Sequence, residues 1–246
     1  MLWGLPKGSP LSYCLTIQMI GLMMLGMQHP LITMHSGSGR TEPNSFSYLA
    51  YALSMKPDIM EVDVRLSPDG RIVLSHDYKP SYSAGLMLQT VLERCKEHGI
   101  LVNLDIKELQ VVEPVCQVLM QTNTLDQVIF TGCQEPGVEQ IHRLLPNANV
   151  LFNADRWDAK QPYERFVEQM IDSTVASKAY ALNICHEDVM PFLVESCNAR
   201  GISIFVWTVD ESDRMEECIS MGVASITTHD VNLLRTVICK VGNQEI

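Results

Sequence analysis

From Pro30 onward, short apolar runs of strand length alternate with longer stretches of helical period, until eight of each have passed. Strands separated by whole helices cannot be joined by tight turns, so each lies parallel to its predecessor. Leu31-Ile32-Thr33-Met34 opens the series and ends at His35. Later runs cover Asp58 to Arg65, Ile100 to Ile106, Gln127 to Thr131, Asn149 to Phe152, Ala179 to Asn183, Ile202 to Trp207 and Val223 to Thr227. Between them, Phe46, Leu49, Ala50 and Leu53 share a helical face, as do Leu88, Val91, Leu92 and Cys95 before Gly99. No internal repeat or low-complexity linker interrupts the rhythm. A chain of 246 residues matches one α/β domain of roughly 250 residues, a (β/α)8 TIM barrel. That barrel is expected to run from residue 31 to 246.

Chemistry in such a barrel gathers at the C-terminal strand ends. His35, Glu61, Asp63, Asp105, Lys107 and Trp207 all fall there. Glu61 and Asp63 are two apart, so on an extended backbone both leave one face, one way to hold a hard divalent cation. Asp69-Gly70 then predicts a hairpin that returns His76 toward them. Asp105 and Lys107 repeat the two-residue spacing. Ser36-Gly37-Ser38-Gly39 reads as a flexible loop, and Asn44 and Ser45 read mainly as caps of the following helix. His29, His98, His142, His186 and His229 lie off the strand ends or lack acidic neighbours and receive no role.

A formal charge of −11 argues against nucleic acid as a partner, because that affinity needs clustered Lys and Arg. A phosphate substrate stays open where a metal supplies positive charge. Eight cysteines without a C-x-x-C pair sit mostly among apolar residues, which points to reduced, core-packed thiols and a cytoplasmic location. Leu11 to Met27 is a mostly apolar run at the short edge for a membrane span. Residues 1–30 are read as a surface-packed leader or an over-long start in preference to a signal or anchor, so membrane contact through 11–27 is the less favoured reading.

With these residues in place, the chain resembles the glycerophosphodiester phosphodiesterases, metal-dependent (β/α)8-barrel enzymes. The resemblance is carried by His35, Asn44-Ser45, Glu61-x-Asp63, Asp69-Gly70, His76-Asp77, Asp105-Ile106-Lys107, Phe205-Val206-Trp207-Thr208-Val209 and Gly222-Val223 with Ile226-Thr227-Thr228. It departs at His35-Ser36-Gly37, where the family has His-Arg-Gly, and at Glu42-Pro43-Asn44, where the family has Pro-Glu-Asn. Asp105 replaces the usual Glu. The short segment after His76 leaves no room for a substantial inserted subdomain. Asp105 with Lys107 also resembles the related phospholipase D toxins.

The resemblance implies that Glu61, Asp63 and Asp105 hold one divalent cation, Mg²⁺ or Ca²⁺. It implies that His35 and His76 act as acid and base, without saying which is which, and that Lys107 and Trp207 contact the substrate. Lys107 alternatively forms an ion pair with Glu61 or Asp105. The implied reaction is hydrolysis of a glycerophosphodiester to glycerol 3-phosphate and an alcohol, by attack of the glycerol 2-hydroxyl on phosphorus. Two alternatives are a lysophospholipase D-like enzyme that releases a cyclic phosphate and a barrel that binds a phosphate ligand without turnover.

Overall fold

Each apolar run becomes a strand and each run of helical period a helix. The computed structural model describes residues 29–78 and 85–243, so the apolar run 11–27 lies outside the described residues. Among them the order is β1 (Leu31–Met34), α1 (Phe46–Met55), β2 (Ile59–Leu66), β3 (Ile72–Leu74), α2 (Leu88–His98), β4 (Leu101–Ile106), α3 (Val112–Thr122), β5 (Val128–Cys133) and α4 (Glu135–Leu144). Then follow β6 (Asn149–Asn153), α5 (Tyr163–Ala176), β7 (Ala181–Cys185), α6 (Pro191–Ala199), β8 (Ser203–Trp207), α7 (Ser212–Met221), β9 (Ser225–Thr228) and α8 (Val231–Gly242).

Eight strands pair in parallel, and β1 bonds both β9 and β2, which closes the barrel. β3 is a ninth strand outside the ring. It runs antiparallel to the end of β2, with Val64 opposite Leu74, and is the hairpin announced by Asp69-Gly70.

The alternation along β2 shows how sequence sets the two sides. Met60, Val62 and Val64 join the large core between strands and helices. Ile59 instead points inward and packs with Leu31, Ile129, Leu151, Ala181 and Phe205 in a second core that plugs the base of the barrel. Two residues further along these same strands stand Thr33, Glu61, Thr131, Asn153, Asn183 and Trp207. The period-two pleat therefore stacks a polar layer directly on the apolar plug.

Six of the seven described cysteines are buried, Cys239 is exposed, and all seven are free thiols. Among the described residues no helix is long and apolar enough to cross a membrane.

Candidate active site

A cavity of about 470 Å³ opens at the C-terminal strand ends, and His35, Glu61, His76, Asp105, Lys107 and Trp207 all line it. Asp63 is buried beside them, 3% exposed. The parallel register of β2 and β4 sets Asp63 opposite Asp105, so carboxylates 42 residues apart in sequence become neighbours. Glu61, Asp63 and Asp105 each offer an oxygen within 4.8 Å of the others.

Burial pushes the Glu61 carboxyl well above the usual carboxylate range, and the nearby charges of Asp63 and Asp105 push it the same way. Lys107 Nζ answers part of that charge, 2.7 Å from Asp63 and 2.5 Å from Asp105. Burial works to lower the lysine pKa, but Asp105 and Asp63 outweigh it and the net direction is up. The ion pair expected with Glu61 or Asp105 thus forms with Asp105 and Asp63. Three carboxylates against one ammonium leave a formal charge of −2, which a single divalent cation offsets. The all-oxygen donor set suits a hard cation, so these residues fit a Mg²⁺ or Ca²⁺ site.

The corner after β1 is built around this cluster. The Ser36 amide donates to Glu61 Oε2 at 2.8 Å, and Ser36 Oγ accepts from the Asn44 amide at 2.9 Å. Asn44 clasps Asp63: its Nδ2 donates to Asp63 Oδ2 at 2.7 Å, and its Oδ1 accepts from the Asp63 amide at 2.9 Å. Its φ of 56° is left-handed, a conformation that asparagine tolerates better than most residues. The Tyr48 hydroxyl donates to the carbonyls of Met34 and Glu61, tying α1 to both strands.

This corner differs from the sequence expectation in two places. Ser36-Gly37-Ser38-Gly39 is a hydrogen-bonded turn in place of a flexible loop, with Ser36 and Ser38 buried. Asn44 is a carboxylate clasp, and Ser45 alone caps α1, accepting from the Tyr48 amide.

Gly132 lies within β5. Its φ is +74°, and a Cβ there would strike Asp105 Oδ1 and the Ile106 carbonyl. A glycine inside a strand marks such a close approach.

The two histidines differ in setting. His35 is largely buried, and its Nδ1 donates to the Ser36 carbonyl at 3.0 Å, leaving the Nε2 lone pair free. Burial lowers its pKa below the ordinary 6.5. His76 stands on the hairpin with its side chain 68% exposed and Nδ1 3.0 Å from Asp77. Its backbone carbonyl accepts from Arg65 Nε at 2.8 Å. Trp207 forms part of the cavity wall, and its buried indole N–H meets no acceptor among the described residues.

His229 was assigned no role, yet its ring lies against His35 with centroids 4.4 Å apart. It carries acidic company as well, its Nδ1 donating to Asp210 at 2.8 Å. The signal was present in the pleat: Ser225, Thr227 and His229 continue one inward series past the end of β9, as Asp105 and Lys107 do past β4.

The model of the Glycerophosphoryl diester phosphodiesterase family matches residues 79–233. The chain belongs to this family. A glycerophosphodiester phosphodiesterase of Caldanaerobacter subterraneus is 23% identical over 86% of this chain and 99% of its own length. Among solved structures, a glycerophosphodiester phosphodiesterase from Parabacteroides distasonis superposes with a TM-score of 0.72 at 20% identity, covering 88% of this chain and 98% of that one. A phosphodiesterase from Oleispira antarctica, solved in complex with the product sn-glycerol-3-phosphate, gives 0.71 at 16% identity, covering 86% and 97%.

The departures from the glycerophosphodiester phosphodiesterase pattern now have a structural setting. Ser36, at the position of the usual arginine, is buried and spends its polar groups on Glu61 and Asn44. Glu42, displaced by one residue, is exposed. Asp105 reaches the cluster with its shorter side chain, on a strand that Gly132 lets approach closely.

Proposed function

We propose that this chain hydrolyses glycerophosphodiesters to sn-glycerol 3-phosphate and an alcohol, with His35 and His76 transferring protons and Glu61, Asp63 and Asp105 holding one divalent cation. The observation that carries the reading is the meeting of both histidines, Glu61, Asp105 and Lys107 on one cavity. The names of the curated relatives and the product bound by the Oleispira antarctica neighbour support it.

His35 is the base. It is neutral at neutral pH because its pKa is lowered, and its Nδ1–H is committed to Ser36, so Nε2 can accept the proton of the attacking hydroxyl. His76 is the acid. Its imidazole stands 3.0 Å from Asp77 and is 68% exposed, and that place at the rim suits delivery of a proton to a departing alcohol. Lys107 donates to a phosphate oxygen, and the Trp207 ring forms a wall against the substrate. A cation held by the three carboxylates supplies Lewis-acid polarisation of the phosphoryl group.

Activity on glycerophosphocholine is expected to vanish on chelation and to return with Mg²⁺ or Ca²⁺. Calorimetric binding of glycerol phosphate in the presence of metal, without turnover of any glycerophosphodiester, would instead identify a binding barrel. A substrate lacking the glycerol 2-hydroxyl tests the attack: unimpaired hydrolysis excludes the internal nucleophile.

A second reading, action on lysophospholipids with release of a cyclic phosphate, is favoured by one feature. Tyr78, Met87 and Leu109, on the segments that follow β3 and β4, are 60%, 54% and 41% exposed, and an apolar rim there suits an acyl chain. Turnover of lysophosphatidylcholine above that of glycerophosphocholine would select this reading.

A further inference from the structure

Asp210 follows β8 and His229 follows β9, and neither lines the cavity, yet together they stand behind a residue that does. Asp210 is itself held in place: one carboxylate oxygen accepts from the Thr228 hydroxyl at 3.0 Å and from the His229 amide at 2.8 Å. Its other oxygen accepts from His229 Nδ1 at 2.8 Å. Three bonds from one short segment leave the His229 ring little freedom. That ring in turn lies against His35 at 4.4 Å, tilted by 49°. Among the described residues the His35 ring has one further restraint, the Nδ1 bond to Ser36 along one edge. An imidazole tied at one edge alone can still swing about χ2, and a wall against its face removes that motion.

We propose that the Asp210–His229 pair is a positioning unit for His35, which braces the face of its ring and fixes the direction in which Nε2 looks into the cavity. This rests on the reading of His35 as the base. His229 is a positioning residue, since its ring packs on His35 and it stands outside the cavity wall.

Electrostatics act in the same sense as the geometry. The hydrogen bond to Asp210 raises the His229 pKa above 6.5. Burial is the largest influence lowering His35, and the charge of His229 adds to it. The other groups facing His35 are Asp63 on β2 and Asp105 on β4, which work upward, both paired with Lys107. On the far side, Asp210 also faces His186 at the end of β7. The pair therefore helps to keep the base unprotonated while it holds the ring.

The test compares His229→Ala, His229→Phe and Asp210→Asn with the wild type, all metal-saturated, in steady-state hydrolysis of glycerophosphocholine across pH. In His229→Ala the kcat is expected to fall roughly 10- to 100-fold, as for a misplaced catalytic group, with KM changed less than about 2-fold. His229→Phe restores a ring face without charge and is expected to recover part of that loss. In both variants the acid limb of kcat/KM moves to higher pH, because a charge that lowered the His35 pKa has gone. Asp210→Asn is expected to show a smaller fall and a shift in the same direction.

A His229→Ala enzyme with wild-type kcat and an unmoved limb overturns the proposal. So does a fall in kcat that His229→Phe leaves unrescued and that comes with a lowered melting temperature and an unmoved limb, the signature of a merely structural residue. His35→Ala is the control for the underlying reading: wild-type turnover there removes His35 as the base, whatever the His229 variants do.

Discussion

The two sides of the cavity are built differently. On the β1–β2–β4 side every functional group is braced from behind: Glu61 by the Ser36 amide, Asp63 by Asn44, Asp105 by Lys107 and the close approach of Gly132, and His35 by the Ser36 carbonyl and His229. On the hairpin side, among the described residues, His76 has one carboxylate neighbour and a backbone anchor to Arg65, with its imidazole mostly in solvent. Groups that gather like charge in a buried place need fixed partners, since any one left unpaired raises the free energy of all. A group that delivers a proton at the rim is solvated already and needs only to be within reach.

The strongest way to break this contrast is kinetic. His35→Ala and His76→Ala are each expected to lower kcat by about 10²- to 10⁴-fold on natural substrates. They should part when the leaving group is p-nitrophenolate, which departs without a proton: His76→Ala recovers most of its loss and His35→Ala does not. Equal recovery in both variants would sink the assignment of base and acid.

Next comes the bracing of Asp105. Gly132→Ala forces a left-handed φ on alanine and drives a methyl into the Asp105 carboxylate, at an expected cost of about 3 kcal/mol in urea unfolding. It should also weaken metal affinity measured by calorimetry. An unchanged affinity would mean that Asp105 is free to move aside.

Asn44→Ala leaves the Asp63 amide and one carboxylate oxygen without their partner, with an expected loss of about 2 kcal/mol. His76→Ala in the same unfolding experiment should leave the melting temperature unchanged. Equal destabilisation by both would erase the distinction between the two sides.

The smallest effect is a pH signature of stability. Burial alone would raise the Asp210 pKa, but the hydrogen bonds from His229 carry it down to about 2, against an ordinary 3.8. Its contribution is therefore present above 3.8 and lost as pH falls through about 2. His229 is raised above 6.5, so its contribution is complete below 6.5 and lost as pH rises through the higher folded value. The stability difference between wild type and Asp210→Asn should be greatest between pH 3.8 and 6.5 and narrow on either side. A difference flat across pH 3 to 8 would contradict the pairing.

Much of this was legible in the chain itself. A strand ladder reads with period two, so Glu61 with Asp63, and Asp105 with Lys107, had to share faces, and the barrel's closure brought their ends together. The same rule, carried from Thr227 to His229, reaches a residue left unassigned because its acidic partner lies 19 positions away. An asparagine before a helix has a local use as a cap, and only the distant Asp63 reveals the other use of Asn44. Gly132 looked like any strand glycine until Asp105 stood against it.

Sequence by itself determined the strands, the helices, their order, and which residues look into the barrel, because those follow from local periodicity and from the one way βα units close. Tertiary structure decided the partners: which amide holds Glu61, which carboxylates share Lys107, and what lies behind His35. These are contacts between segments far apart in the chain, fixed by register and packing, and no local pattern encodes them.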